Sequence, residues 1–286
     1  ACNCNEAKCA GMPDSLRGGA QVIEDARQAT GGLVSEFPAG GTLRGTVVYL
    51  GQAEYQGRQR HFAMTAGHVA HGMLHSAAEW QQQADAMAKR KPFVMDWQVD
   101  RSAPQACPED SAILWPGKIA ATCGEVVEAR WRFADYSERA TEDYAILTLD
   151  LGGTPKRGLR LLPASQEPQS YEEHIAFGGP DWNQNAAKVS ACQFERNGSE
   201  LFRQSLATAV GDIAGFDSSK IQFDVEYCLP FPEPVVPGWS GGTACYNRGC
   251  LGVISGEMMH ADRSGAVFIQ RYNKIPLLNE LGFLRD

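Results

Sequence analysis

The sequence lacks the features that would tie it to a bilayer or to a nucleic acid. No apolar run approaches the ~18 residues that a membrane-crossing helix needs. The formal net charge is −8 and no long basic run offsets it, so neither nucleic acid nor an anionic membrane is an expected partner. No internal repeat of fixed period and no low-complexity tract is present. An initiator methionine is missing too: the chain opens at Ala1 with no basic and apolar leader. That start fits a removed signal peptide or some other cut equally well.

What is there reads as an ordinary globular chain. Its 286 residues suit one large or two ordinary domains, with 43% hydrophobic and 21% charged residues. The cysteines number nine, so at least one is free or pairs between chains. Cys245 and Cys250 flank "YNRG", a plausible hairpin turn that would set them across two strands, and Cys107 and Cys123 bracket a short loop. Disulfides would suit a secreted protein and reduced buried thiols a cytosolic one; secretion is the favoured expectation.

Strand patterns dominate from Thr42 onward. "GTVVYLGQ", "RHFAMTAG", "EVVEARWRF" and "DYAILTLDL" alternate or run apolar over strand lengths. "HSAAEWQQQADAMAKR" breaks that pattern and reads as an inserted helix. "TPKRGLRLLPASQEPQS" has the Pro, Gly and Ser density of a linker. Beyond it come "EHIAFGG", "AKVSACQFER", "KIQFDVEY", "RGCLGVISG" and "GAVFIQRY", all strand-like, and then "NKIPLLNELGFL" as a closing helix. The expected fold is all-β. It has an N-terminal extension over 1–40, a first antiparallel barrel over 41–155 with a helical insertion at about 71–125, and a second barrel with its helix over 156–286.

Three short segments carry the chemistry. "PGWSGG" puts Ser240 between Gly238 and Gly241 on a turn that glycine lets bend sharply. A serine is a poor nucleophile unless a base lies within hydrogen-bond reach and a third group orients that base. "FAMTAGH" ends on His68, where a strand runs into a small-residue turn, and "TEDYAILTLD" sets Asp143 at the mouth of an apolar strand. A carboxylate so placed is costly to desolvate unless it accepts hydrogen bonds. Taken singly, each segment is weak: a surface turn, a structural histidine, an aspartate that solvates a turn.

Together and in that order, "TAGHV", "DYAILTL" and "PGWSGG" resemble the chymotrypsin-type serine protease family over roughly residues 41–284, and "HIAFGGP" is similar to a loop of bacterial members such as glutamyl endopeptidases. The resemblance implies two six-stranded barrels with the site between them. It makes His68, Asp143 and Ser240 the catalytic residues and the N–H groups of Gly238 and Ser240 the oxyanion hole. "VISGE" resembles the strand that pairs with an extended substrate, so Ser255 would sit near Asp143 while Gly256 and Glu257 line the cleft. The implied partner is a protein or peptide substrate, with no cofactor and no metal. A non-catalytic peptide-binding relative and a self-processing protease remain the alternatives.

Chain order excludes an α/β-hydrolase, whose acid and histidine follow the serine. After Ser240 the His–acid neighbours are His260 and Asp262, in the reversed order. The chain also departs from animal members of the family. Trp239 stands where they carry an aspartate, so the oxyanion loop is expected to be held by packing; Val69 stands where they carry a disulfide cysteine. Pro234 occupies the position of trypsin's acidic pocket floor, leaving Glu257 or Glu233 as the groups able to favour a basic substrate residue. "HVAHGMLH" spaces His68, His71 and His75 at near-helical intervals and "CNCNEAKC" gathers three thiols, but neither makes a complete metal site.

Overall fold

In the computed structural model the described residues are 20–36, 41–75, 95–115, 119–133, 142–150, 153–166, 172–181, 186–197, 201–204, 207–212, 226–227, 240–259 and 265–285, with scattered positions between 78 and 89. Eight strands form the first half: β1 (Thr30–Glu36), β2 (Thr42–Tyr55), β3 (Arg58–Thr65), β4 (Met95–Val99), β5 (Gln105–Ala106), β6 (Ala112–Trp115), β7 (Ile119–Phe133) and β8 (Glu142–Asp150). Pairing runs β7-β6-β1-β2-β3-β8 and returns from β8 to β7, so six antiparallel strands close a ring. Closure leaves no free edge among those six. β4 and β5 hang on β7 outside the ring.

The second half supplies β9 (Glu172–Asp181), β10 (Ala186–Asn197), β11 (Leu201–Gln204), β12 (Ala207–Asp212), β13 (Glu226–Tyr227), β14 (Thr243–Tyr246), β15 (Gly249–Met259) and β16 (Gly265–Arg271). Here β11-β16-β15-β14-β9-β10 closes through β10–β11, and β12 and β13 extend from β10. The two six-stranded barrels expected from the sequence are thus both present.

Their boundaries differ from the expectation in two places. The first barrel begins at Thr30, because β1 pairs with both β2 and β6 and lies inside the ring. The expected helical insertion holds helical residues around 78–85, yet four strands begin between 95 and 125, and β6 and β7 are ring members. β1 eludes a pattern search because "TGGLVSE" has two glycines where apolar residues are looked for. Gly31 is needed there: a Cβ would come within 2.4 Å of the Trp115 ring, so the barrel wall closes only over a bare backbone.

β8 is buried from Asp143 to Leu149 without alternation. One face fills the first barrel; against the other pack helix α2 (Gly67–Leu74) and strands β15 and β16 of the second barrel. A strand covered on both faces reads as a continuous apolar run, which is why "YAILTL" stood out.

Three segments hold the barrels together. Helix α1 (Ala20–Ala29) buries Val22, Ala26 and Ala29 and packs on β1 and β2 of the first barrel and β9, β14 and β15 of the second. The linker is tied to both: the Leu159 N–H donates to the Tyr49 carbonyl at 2.8 Å, and the Cys250 N–H to the Arg160 carbonyl at 2.7 Å. Finally, β16 runs through a short 3₁₀ turn into α3 (Pro276–Glu280), which returns to the first barrel. There the Phe283 ring meets Phe62 edge-on at 6.1 Å, and Glu280 pairs with Arg101. Disulfides join Cys107 to Cys123 and Cys245 to Cys250, the latter across the β14–β15 hairpin. No helix among the described residues is long and apolar enough to cross a membrane.

Candidate active site

His68 lies in the first turn of α2, three residues beyond the end of β3, and Asp143 is the second residue of β8. The aspartate side chain is 3% exposed and the imidazole 29%. Asp143 Oδ1 accepts the backbone N–H of His68 at 2.9 Å, and its Oδ2 faces His68 Nδ1 at 2.8 Å. An ionised carboxylate can only accept, so the Nδ1 proton is the donor and Nε2 is left with its lone pair. Burial pulls the imidazole toward its neutral form, but the charge and the hydrogen bond of Asp143 outweigh it and hold the His68 pKa above the usual histidine value.

The second barrel completes the shell around Asp143. Ser255 Oγ donates to Oδ2. Ser255 reaches it because β15 carries a bulge: Ile254 pairs with Ile269 and Gly256 with Phe268, which leaves Ser255 unpaired between them. An extra residue of this kind re-aims a side chain without breaking the strand. Gln270, buried on β16, accepts the Asp143 backbone N–H on its Oε1 at 3.1 Å. The aspartate's main chain and side chain are therefore both held across the barrel interface.

Ser240 is half-buried in the turn before β14. Its carbonyl accepts the Thr46 N–H at 2.9 Å; beside it the Gly241 N–H donates to the Ile254 carbonyl at 2.9 Å, and the Ile254 N–H to the Gly242 carbonyl at 2.8 Å. Gly241 has φ +94°, and a Cβ there would lie 2.0 Å from the Thr46 carbonyl oxygen, 2.4 Å from Thr65 Oγ1 and 3.1 Å from the Ala66 nitrogen. Only glycine allows this approach. The serine turn is thus pressed against the end of β3 and Ala66, just before His68.

The structure brings His68, Asp143 and Ser255 into one hydrogen-bonded cluster and sets the Ser240 turn against the segment that leads to it. Gly256 and Glu257 continue β15 beyond Ser255; the Glu257 side chain, together with Gly238, Trp239, Pro234, Glu233 and His260, lies outside the described residues. So does the cysteine-rich "CNCNEAKC" segment, and among the described residues no group of three His, Cys, Asp or Glu could hold a metal ion. His71 on α2 and His75, the residue that follows the helix, do come together as their spacing suggested, but they face tryptophans. The His71 ring lies 3.4 Å from that of His75, 4.8 Å from Trp131 and 5.1 Å from Trp97. Burial first, then the neighbouring His75 and His68, push the His71 pKa down to about 3.

Two residues of the site escaped the sequence reading. Trp131, opposite Asp143 in the β7–β8 register, brings its ring to 5.9 Å from that of His68. Gln270 was passed over inside "GAVFIQRY"; a single uncharged polar residue in an apolar strand was the one available signal.

No protein-family profile matches the chain, and no curated protein does. Among solved structures it is similar to Rv3671c of M. tuberculosis, crystallised as an inactive serine-to-alanine mutant. That match has a TM-score of 0.45 and 14% identity over 96% of this chain and 97% of the other. It is also similar to an HtrA-type protease, AlgW, a serine-to-alanine variant with a decapeptide. There the TM-score is 0.46 and the identity 13%, over 93% of this chain and 68% of the other. Likeness this distant assigns neither a chemistry nor a specificity, and neither structure is described as a glutamyl endopeptidase.

Proposed function

We propose that the chain is a serine endopeptidase, with Ser240 as nucleophile, His68 as general base and Asp143 as the group that orients His68. What carries the reading is the double contact of Asp143 with His68, through Nδ1 and through the backbone N–H. It fixes the imidazole's tautomer and aim and keeps Nε2 available as the base.

The steps follow the Ser-His-Asp scheme. Ser240 Oγ attacks a peptide carbonyl while His68 Nε2 takes its proton, and Asp143 stabilises the imidazolium that forms. The tetrahedral oxyanion is received by the N–H groups of Gly238 and Ser240. Loss of one such donor typically costs ~3 kcal/mol. His68 then protonates the leaving amine, and water resolves the acyl-enzyme by the same route in reverse.

A peptide substrate would add as a strand along β15, where Ser255, Gly256 and Glu257 follow one another, with Glu257 favouring a basic side chain. The two disulfides fit a secreted or extracellular location. Reaction with a fluorophosphonate probe tests the assignment: wild type takes up label, while S240A and H68A do not. A peptide-library cleavage profile of wild type beside S240A then reads the specificity, and equal turnover after Leu or Phe would exclude the basic preference.

A further inference from the structure

We propose that Gln270 is a positioning residue for the reaction: by accepting the Asp143 backbone N–H it fixes the aspartate against the barrel that carries Ser240. The inference rests on the serine endopeptidase reading. Asp143 belongs to the first barrel, but the nucleophile's turn belongs to the second, and His68 must serve both. Whatever fixes the aspartate relative to β14–β16 therefore fixes the base relative to the serine.

Among the described residues, two contacts cross that interface to Asp143, from Ser255 on β15 and Gln270 on β16. They divide the task. Ser255 holds Oδ2, the oxygen that also faces the imidazole, so it sets the rotation of the carboxylate. Gln270 holds the main-chain nitrogen and so sets where the residue stands. The neighbouring strand position is not free to drift either, because Val253 on β15 pairs with Gln270 in the same sheet.

Asp143 is 3% exposed, so its N–H is held away from water, and Gln270 supplies it with an acceptor. In the β7–β8 register the residue stands opposite Trp131, and the next residue along the strand, Tyr144, is buried as well. Without the amide oxygen of Gln270 this buried N–H would lose that acceptor, and a buried N–H short of a partner draws the backbone toward another one. The surrounding charges do not substitute for it. Glu142 is engaged by Arg132 at 2.9 Å, Glu128 by the Tyr144 hydroxyl at 2.7 Å, and His71 is sealed under Trp97 and Trp131.

The test compares Q270M, which keeps length and bulk but loses the acceptor, with Q270E, which keeps an acceptor oxygen at the same reach. Rates are normalised to sites titrated by the fluorophosphonate, so that a loss of folded protein does not enter. Q270M is expected to lower kcat per titrated site by about tenfold or more with KM little changed, and Q270E to recover most of that rate. Proton NMR provides a readout that needs no turnover: the low-field Nδ1 proton between His68 and Asp143 should shift or broaden in Q270M and return in Q270E. Equal rates per site in wild type and Q270M, or a rate in Q270E no better than in Q270M, would overturn the role. If wild type takes up no label, the endopeptidase reading fails instead, and an unchanged Nδ1 proton in Q270M would still dismiss the positioning contact.

Discussion

The backbone N–H of Thr46, on a first-barrel strand, donates to the carbonyl of Ser240, in the turn of the second barrel, at 2.9 Å. This bond makes the serine's position a property of both barrels. Its neighbour Gly241 sits under the same strand, where no side chain fits. We therefore expect G241A to distort the turn. The positive φ alone costs ~1–3 kcal/mol in a residue with a Cβ, and the overlap with the Thr46 carbonyl adds to it. Label uptake should fall by at least about a hundredfold and the melting temperature should drop; scanning fluorimetry alongside probe labelling checks both.

Removing the Ser255 hydroxyl takes one donor from Asp143 while leaving its contacts with His68 in place. S255A should lower kcat about tenfold with little change in KM, as a hydrogen bond to a charged group is worth ~1.5–3 kcal/mol. Steady-state kinetics on a cleaved peptide measure the split. A rise in KM alone would mean that Ser255 contacts substrate and does not serve the aspartate.

The pH dependence of activity follows from His68. In the proposed mechanism His68 acts as base when neutral, and Asp143 holds its pKa above the ordinary value of 6.5. Activity should therefore rise with pH through a limb lying above 6.5. Stability should move the other way. A histidine whose folded pKa is raised contributes stability fully below its unfolded pKa, and that contribution is lost as pH rises through the folded value. In D143N the carboxylate charge is gone, the limb should move down, and kcat should fall by roughly 10⁴.

His71 predicts the opposite slope. It stays neutral in the folded chain down to about 3, whereas the unfolded chain takes up a proton near 6.5. Between those values the unfolded state binds more protons, so stability is full above 6.5 and is lost as pH falls. One such group contributes a slope of about 1.4 kcal/mol per pH unit. Denaturant titrations at several pH values should show that slope in wild type and its loss in H71F.

Much of the frame was legible in the chain, for physical reasons that also set the limit. β2, β3, β7 and β8 announce themselves because each buries a long face, and β8 buries two; β15 and β16 were legible as apolar, β-branched runs. His68 and Asp143 were readable because each adjoins such a strand, and the cysteine pairs because their turn and loop are short. What escaped depends on contacts distant in sequence. β1 gains its place only from the Trp115 ring against Gly31, 84 positions away by number (115 − 31). β4 to β6 are short, and Gln270 acquires meaning only once Asp143 stands 3.1 Å from it. A bulge such as the one that turns Ser255 toward Asp143 has no local signature.

The closing segment has a further consequence for how the molecule comes into being. The first ring is complete once Asp150 has been made, yet the Asp143 N–H and the Phe62 surface must await Gln270 and Phe283. A ribosome that has finished His68, Asp143 and even Ser240 still carries a chain whose aspartate lacks its second-barrel contacts with Ser255 and Gln270. If the chain is the proposed endopeptidase, hydrolytic competence arrives late in translation, and fragments released early should be inert even when they hold His68, Asp143 and Ser240.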